Sequence, residues 1–151
     1  MSVLVVGDTN VDLEIRLPSG SNRMTHGNPD PQMFGGGSAA NTAAALARLG
    51  VACRFAGTVG DDSFGRFAVE SLAEAGVDIE LVTVSPEEPT VTVVAVVQPD
   101  GDRLIYVWPP SGGAHGALQP SDAIEAVAGF VPCAESGNRT FFRVSPSPRA
   151  S

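Results

Sequence analysis

Three groups of side chains in this sequence carry chemistry at a usable spacing. Asn10 and Asp12 lie two residues apart, just after an apolar run, Val3-Leu4-Val5-Val6, that ends in Gly7-Asp8. Residues two apart on an extended segment point the same way, so an amide and a carboxylate presented together can grip a vicinal diol. Taken alone, the same pair can equally serve as turn residues that bond their own backbone. The second group is Gly36, Gly37 and Asn41, where a glycine loop meets a small-residue segment running to Leu49 and Gly50. Glycines let a backbone approach a ligand closely, and a helix start offers unpaired N–H donors and a partial positive charge. That is equipment for holding hydroxyls or anions, although Asn41 also reads as an ordinary residue of a first helical turn. The third group is Asp61-Asp62, ahead of Ser63. Adjacent carboxylates suggest a metal, but at a helix N-terminus the helix dipole accounts for them, so the reading is structural and no metal site is assigned. His26 and His115 have neither a spaced nucleophile nor a second ligand nearby, and both read as loop histidines without a role.

Positioning these groups requires a particular order of elements. Val3 to Val6 is a continuous apolar run, the pattern of a central parallel strand covered on both faces. Val11 to Leu17 alternates as a strand with one wet face, and Pro18 through Gln32 reads as a loop. Ser38 is placed to cap a helix reaching about Leu49, with Gly50 as its left-handed stop. Cys53 to Ala56 reads as the next strand, and Gly57 to Asp62 as a turn feeding a helix capped by Ser63. On that helix Phe64, Ala68 and Leu72 share a stripe, Phe67 and Ala75 flank it, and Gly76 ends it. Thr90 to Gln98 and Arg103 to Trp108, joined by Pro99-Asp100-Gly101-Asp102, form a hairpin at a sheet edge or projecting as a flap. The repeated strand, glycine turn and helix make an α/β three-layer fold the expected class. Ser121 to Ala128 suggests one short helix. Residues 2–129 read as the folded portion, and 130–151, rich in Arg, Pro and Ser, as a divergent tail that is disordered over Pro132 to Ser151.

Composition narrows the function classes. The 151 residues are 43% hydrophobic with a mean hydropathy of +0.12, enough for one domain with a core. Nine Lys+Arg against 17 Asp+Glu leave a net charge of -8, which repels phosphate polymers, so nucleic acid is not an expected partner. All the basic residues are arginine, which excludes a P-loop, since that motif needs a lysine at the terminal phosphates. Cys53 and Cys133 lie far apart without metal or redox spacing, and a reducing cytoplasm fits them best. The opening apolar run is too short to cross a bilayer, so no membrane association is expected.

The order and spacing of Gly36-Gly37, Asn41, Ala43, Gly50 and Gly60 resembles the N-terminal signature of the ribokinase-like (PfkB) carbohydrate kinases. Val5-Val6-Gly7-Asp8-Thr9-Asn10-Val11-Asp12 is similar to that family's opening, and Gly57 to Gly65 to a recurrent segment of it. The resemblance implies a three-layer α/β/α, Rossmann-like sheet with a β-hairpin lid, and ATP-dependent phosphorylation of a sugar or nucleoside hydroxyl. It implies that Asn10, Asp12 and Asn41 contact the sugar, that Gly36 and Gly37 lie against it, and that ATP and Mg are used. It also implies that the 90–108 hairpin covers the sugar and pairs with another subunit. Ser38 stands where ribokinases proper carry a lysine, which points away from ribose. The family's C-terminal Asp-Thr-x-Gly-Ala-Gly-Asp stretch, which supplies the base and an anion-binding helix start, has no match here, so no catalytic residue is assigned. The resemblance runs from Ser2 to about Asp122, and the expectation is a truncated or frame-altered kinase carrying the substrate-facing portion. The alternative is a non-catalytic polyol-binding or dimerising module. A dinucleotide-binding domain is weaker, because Gly35-Gly36-Gly37 is not Gly-x-Gly-x-x-Gly.

Overall fold

A computed structural model describes residues 2–20, 31–110, 112–117, 130–136 and 139–144. The apolar run at the start forms β1 (Ser2–Val6), and burial on both faces leaves Leu4 and Val5 without exposed surface. β1 pairs in parallel with β4 (Ala52–Gly60), which pairs in parallel with β5 (Asp78–Ser85). Helices α1 (Ser38–Arg48) and α2 (Ser63–Glu74) cross between these strands. Their small and apolar faces, including Ala39, Ala40, Ala43 and Leu72, close over Val3, Val5, Cys53 and Phe55 to make the main core. The alanines bring α1 close to the sheet, because a short side chain lets backbone approach backbone.

A second sheet has the order β3-β2-β6-β7, built from β2 (Asn10–Arg16), β3 (Gln32–Gly36), β6 (Thr92–Val97) and β7 (Arg103–Trp108). β2 runs parallel to β6, and the other neighbours are antiparallel. The expected hairpin forms as β6 and β7, and it is joined to β2 and β3 in a four-stranded lid separate from the five-stranded sheet. Its turn holds through Gly101, at φ 91, with Gln98 N donating to Asp102 O at 2.8 Å. The lid is anchored where Val11 packs with Val59 and Ala68, against Phe64 and Phe67.

Several sequence expectations need correction. Gln32 to Gly36 forms a strand rather than the end of a loop, because β2 offers it a full antiparallel partner. Gly57 to Gly60 continues β4 instead of turning, held by pairing with Val82 to Ser85 of the unanticipated strand β5. Neither Ser38 nor Ser63 caps a helix. Gly37 and Asp62 take those positions, with Gly37 at φ 99. The tail contains a hairpin of β8 (Phe130–Ser136) and β9 (Arg139–Val144), whose second strand pairs antiparallel with β1. An unpaired strand edge next to the core favours such pairing, since it satisfies a row of backbone N–H and C=O groups. The five-stranded order is β5-β4-β1-β9-β8. Both described helices pack on one face of this sheet, and the helix expected over Ser121 to Ala128 lies outside the described residues.

Candidate functional site

The candidate site forms where β2 leaves the main layer and β3 returns to it. Asn10 and Gly36 stand opposite each other across the β2–β3 ladder, and Asp12 stands opposite Phe34, so all four share one face of the lid. Asn10 Nδ2 donates to Asp12 Oδ1 at 2.6 Å, which aligns the amide with the carboxylate. Gly36 is required there by space. A Cβ on it would lie 2.5 Å from Asp12 Oδ2 and 2.7 Å from Asn10 Nδ2. Gly37 follows with a left-handed φ, and a Cβ on it would lie 2.7 Å from both the Asp8 carbonyl oxygen and Thr9 Cα. Asn41, on the first turn of α1, is exposed and opens into a cavity of about 510 Å³ between β3, α1 and α2, which also meets Thr9 and Gly36. Asn10 and Asp12 do not line that cavity. Asn10, Asp12 and Gly36 thus form one cluster with Gly37 next in the chain, and Asn41 faces the adjoining space.

Burial raises the Asp12 carboxyl above the ordinary aspartate value, with the Asn10 hydrogen bond partly offsetting it. The pair can accept from hydroxyls through Asp12 and both accept and donate through Asn10, the mixed set a diol needs.

The anion-holding capacity expected of the α1 start is already used within the chain. The Asp8 carboxylate accepts from Ser38 N at 2.8 Å and Ala39 N at 3.0 Å, and the Asp8 carbonyl accepts from Ala40 N at 3.1 Å. The α2 start is filled likewise. Asp62 accepts from Gly65 N at 2.7 Å and from Thr90 N at 2.9 Å. Burial pushes the Asp62 carboxyl up, but these donors, with lesser help from the Thr90 hydroxyl and Phe64, outweigh it and hold the carboxyl below the usual value. Among the described residues no cluster of metal-ligating side chains assembles, and Asp61 pairs loosely with Arg66 at 3.9 Å.

Two residues here escaped sequence reasoning. Asp8 caps a helix 30 positions away, and His115, which read as a loop residue, meets the Thr9 carbonyl through Nε2. Gly7-Asp8 directly after an apolar strand was the available signal for the first, while a contact 106 positions apart left none for the second. His26 lies outside the described residues. Cys53 is buried, and its thiol is pushed up to about 11 by that burial, so it stays protonated and inert.

Comparison with known proteins bears on this arrangement. The pfkB family carbohydrate kinase model matches residues 1–136. A fructokinase of Klebsiella pneumoniae is 37% identical over 128 residues, covering 84% of this chain and 38% of the relative. A ribokinase of Staphylococcus aureus is 31% identical over 126 residues, covering 82% and 40% respectively. The structure of Arabidopsis thaliana ribokinase complexed with ribose and ATP superposes with a TM-score of 0.70 at 29% identity, over 84% of this chain and 43% of that one. The chain therefore spans about two-fifths of the length of the curated relatives it matches. With the family model matching most of its length, and the ribokinase-like α/β fold shared with solved relatives, the chain belongs to the pfkB family of carbohydrate kinases.

Proposed function

We propose that this chain carries the hydroxyl-recognition part of a sugar or nucleoside kinase, with Asn10, Asp12, Gly36, Gly37 and Asn41 contacting the substrate. The observation that carries the reading is the apposition of Gly36 to the Asn10–Asp12 pair, which leaves no room for a side chain. Two hydrogen-bonding side chains laid against bare backbone give the kind of placed polar groups that orient a small ligand. The relatives named fructokinase and ribokinase, and one solved with ribose and ATP, support a small polyol as the class of ligand. Residues 2–129 form the substrate-binding and lid portion in this reading, and 130–151 diverge from it.

ATP and Mg are implied by the family, and the described residues do not fit them. Both described helix starts are occupied by the chain's own carboxylates, Asp8 and Asp62, which already take the Ser38, Ala39 and Gly65 N–H groups a polyphosphate would need. A second reading, binding without turnover, is favoured by this same occupancy. The lid strand β7 adds a proposed partner surface for a second copy, because Ile105, Tyr106 and Trp108 are 61%, 60% and 56% exposed.

Titrating D-fructose, D-ribose and adenosine into isotope-labelled protein while following amide signals tests the assignment. The expected result is saturable shifts at Asn10, Asp12, Gly36, Gly37 and Asn41 with at least one ligand. Shifts confined elsewhere would remove these residues from the site. Sugar-dependent ADP release by the same samples is expected to stay at background.

A further inference from the structure

The chain returns to the candidate site after the lid is complete. The short 3-10 turn Gly113–Ala117 follows β7 and docks beside the base of the lid. Ala114 is fully buried and its N–H donates to Pro89 O at 3.0 Å. Gly113, also buried, is pressed so closely that a Cβ on it would lie 2.5 Å from the same carbonyl oxygen. The turn therefore has little freedom, and it aims the next side chain, His115, at the Thr9 carbonyl.

That carbonyl belongs to the peptide group whose N–H is that of Asn10. A carbonyl oxygen only accepts, so His115 Nε2 carries the proton of this bond in the neutral or the charged ring alike. Thr9 is itself almost fully buried, and Gly37 presses on its Cα from another side. One residue further on, Val11 N donates to Val91 O at 3.0 Å. The two peptide planes that flank Asn10 are thus each tied down, the one before it by His115 and the one after it by Val91.

We propose that His115 is a positioning residue for the Asn10–Asp12 pair, tethering the end of the lid hairpin to the peptide that aims Asn10 at the ligand. This rests on the hydroxyl-recognition reading above. His115 Nε2 bonds the Thr9 carbonyl rather than the Asn10 or Asp12 side chain, and it takes no proton from substrate. Its contribution is to keep a buried carbonyl satisfied and one peptide plane fixed. A glutamine, whose Nε2 reaches about as far, can replace it, whereas a phenylalanine fills the space without a donor.

The test uses the full chain as His115→Phe and His115→Gln, with two readouts: the side-chain amide signals of Asn10, and calorimetric affinity for D-fructose and D-ribose. His115→Phe is expected to shift the Asn10 signals and weaken sugar affinity roughly ten-fold, and His115→Gln to restore both at an unchanged melting temperature. Asn10 signals unmoved in His115→Phe, or a His115→Gln variant as impaired as His115→Phe, would overturn the proposal. Where neither sugar binds the parent chain, the recognition reading fails, and the Asn10 signals alone decide the tether. Should His115→Phe not fold, the parent protein still decides. A His115 Nε2–H signal protected from exchange is required, and a rapidly exchanging one refutes the tether.

Discussion

At the residue scale, the candidate cluster joins a pair that is local in sequence, Asn10 and Asp12, to a glycine far along the chain. The Asn10–Asp12 pair was legible because its spacing on an extended segment is local, and the structure keeps both side chains on one face. Gly36 was legible as a close-approach glycine, although what it approaches is the pair itself. Asp8 was not, since a carboxylate that caps a helix 30 residues later looks identical to one that ends a strand. The raised Asp12 pKa has a consequence for binding. As pH falls, Asp12 takes up its proton at a higher pH than an ordinary aspartate, near 3.9, and a protonated carboxyl is a poorer acceptor for sugar hydroxyls. Sugar affinity is expected to decline on acidification before ordinary carboxylates titrate, and the decline should be absent in Asp12→Asn. Parallel declines in both proteins, measured by calorimetry between about pH 7 and pH 4, would assign it to other groups.

At the element scale, Asp62 joins three pieces of structure: the α2 start, the end of β4 and the residues leading into β6. Its carboxylate takes the Gly65 and Thr90 N–H groups, and the Thr90 hydroxyl takes Gly60 N at 2.8 Å. Because the folded-state pKa is depressed, this stabilisation is complete above the ordinary aspartate value and is lost as pH falls through the lower folded value. Asp62→Ala is expected to lower stability at neutral pH and to flatten the remaining loss on acidification, read from urea midpoints at about pH 6 and about pH 3. An equally steep acid loss in the variant would place the effect elsewhere. Which elements were legible follows from how local their signals are. The Pro99-Asp100-Gly101-Asp102 turn and the α1 segment announce themselves in a few adjacent residues. β3 and β5 form chiefly because β2 and β4 offer open edges, and an open edge is a property of the assembled sheet. The tail strand β9 follows the same logic at the edge of β1.

For the whole molecule, the lid carries much of the exposed apolar surface among the described residues. By register, Val93, Ala95, Ile105 and Val107 share the face of Asp12, while Val94, Val96, Leu104, Tyr106 and Trp108 share the other. Both faces of β7 are therefore apolar and open, more than one ligand below the lid can cover. The proposed second copy would cover the other face, where Tyr106 and Trp108 have the size of interface anchors. Sedimentation velocity is expected to show a concentration-dependent dimer that Trp108→Asp converts to monomer. A parent chain that remains monomeric at high concentration would leave this face without the proposed partner.

The central question is whether the cluster at Asn10, Asp12 and Gly36 holds a polyol. Calorimetric titration of a panel of sugars and nucleosides into the parent chain and Asp12→Ala tests it most directly. Saturable binding of at least one member is expected, weakened in Asp12→Ala by about 1–3 kcal/mol through lost charge-assisted hydrogen bonds, with the fold retained. Equal affinity in the two proteins, or no saturable binding by any member of the panel, would contradict it.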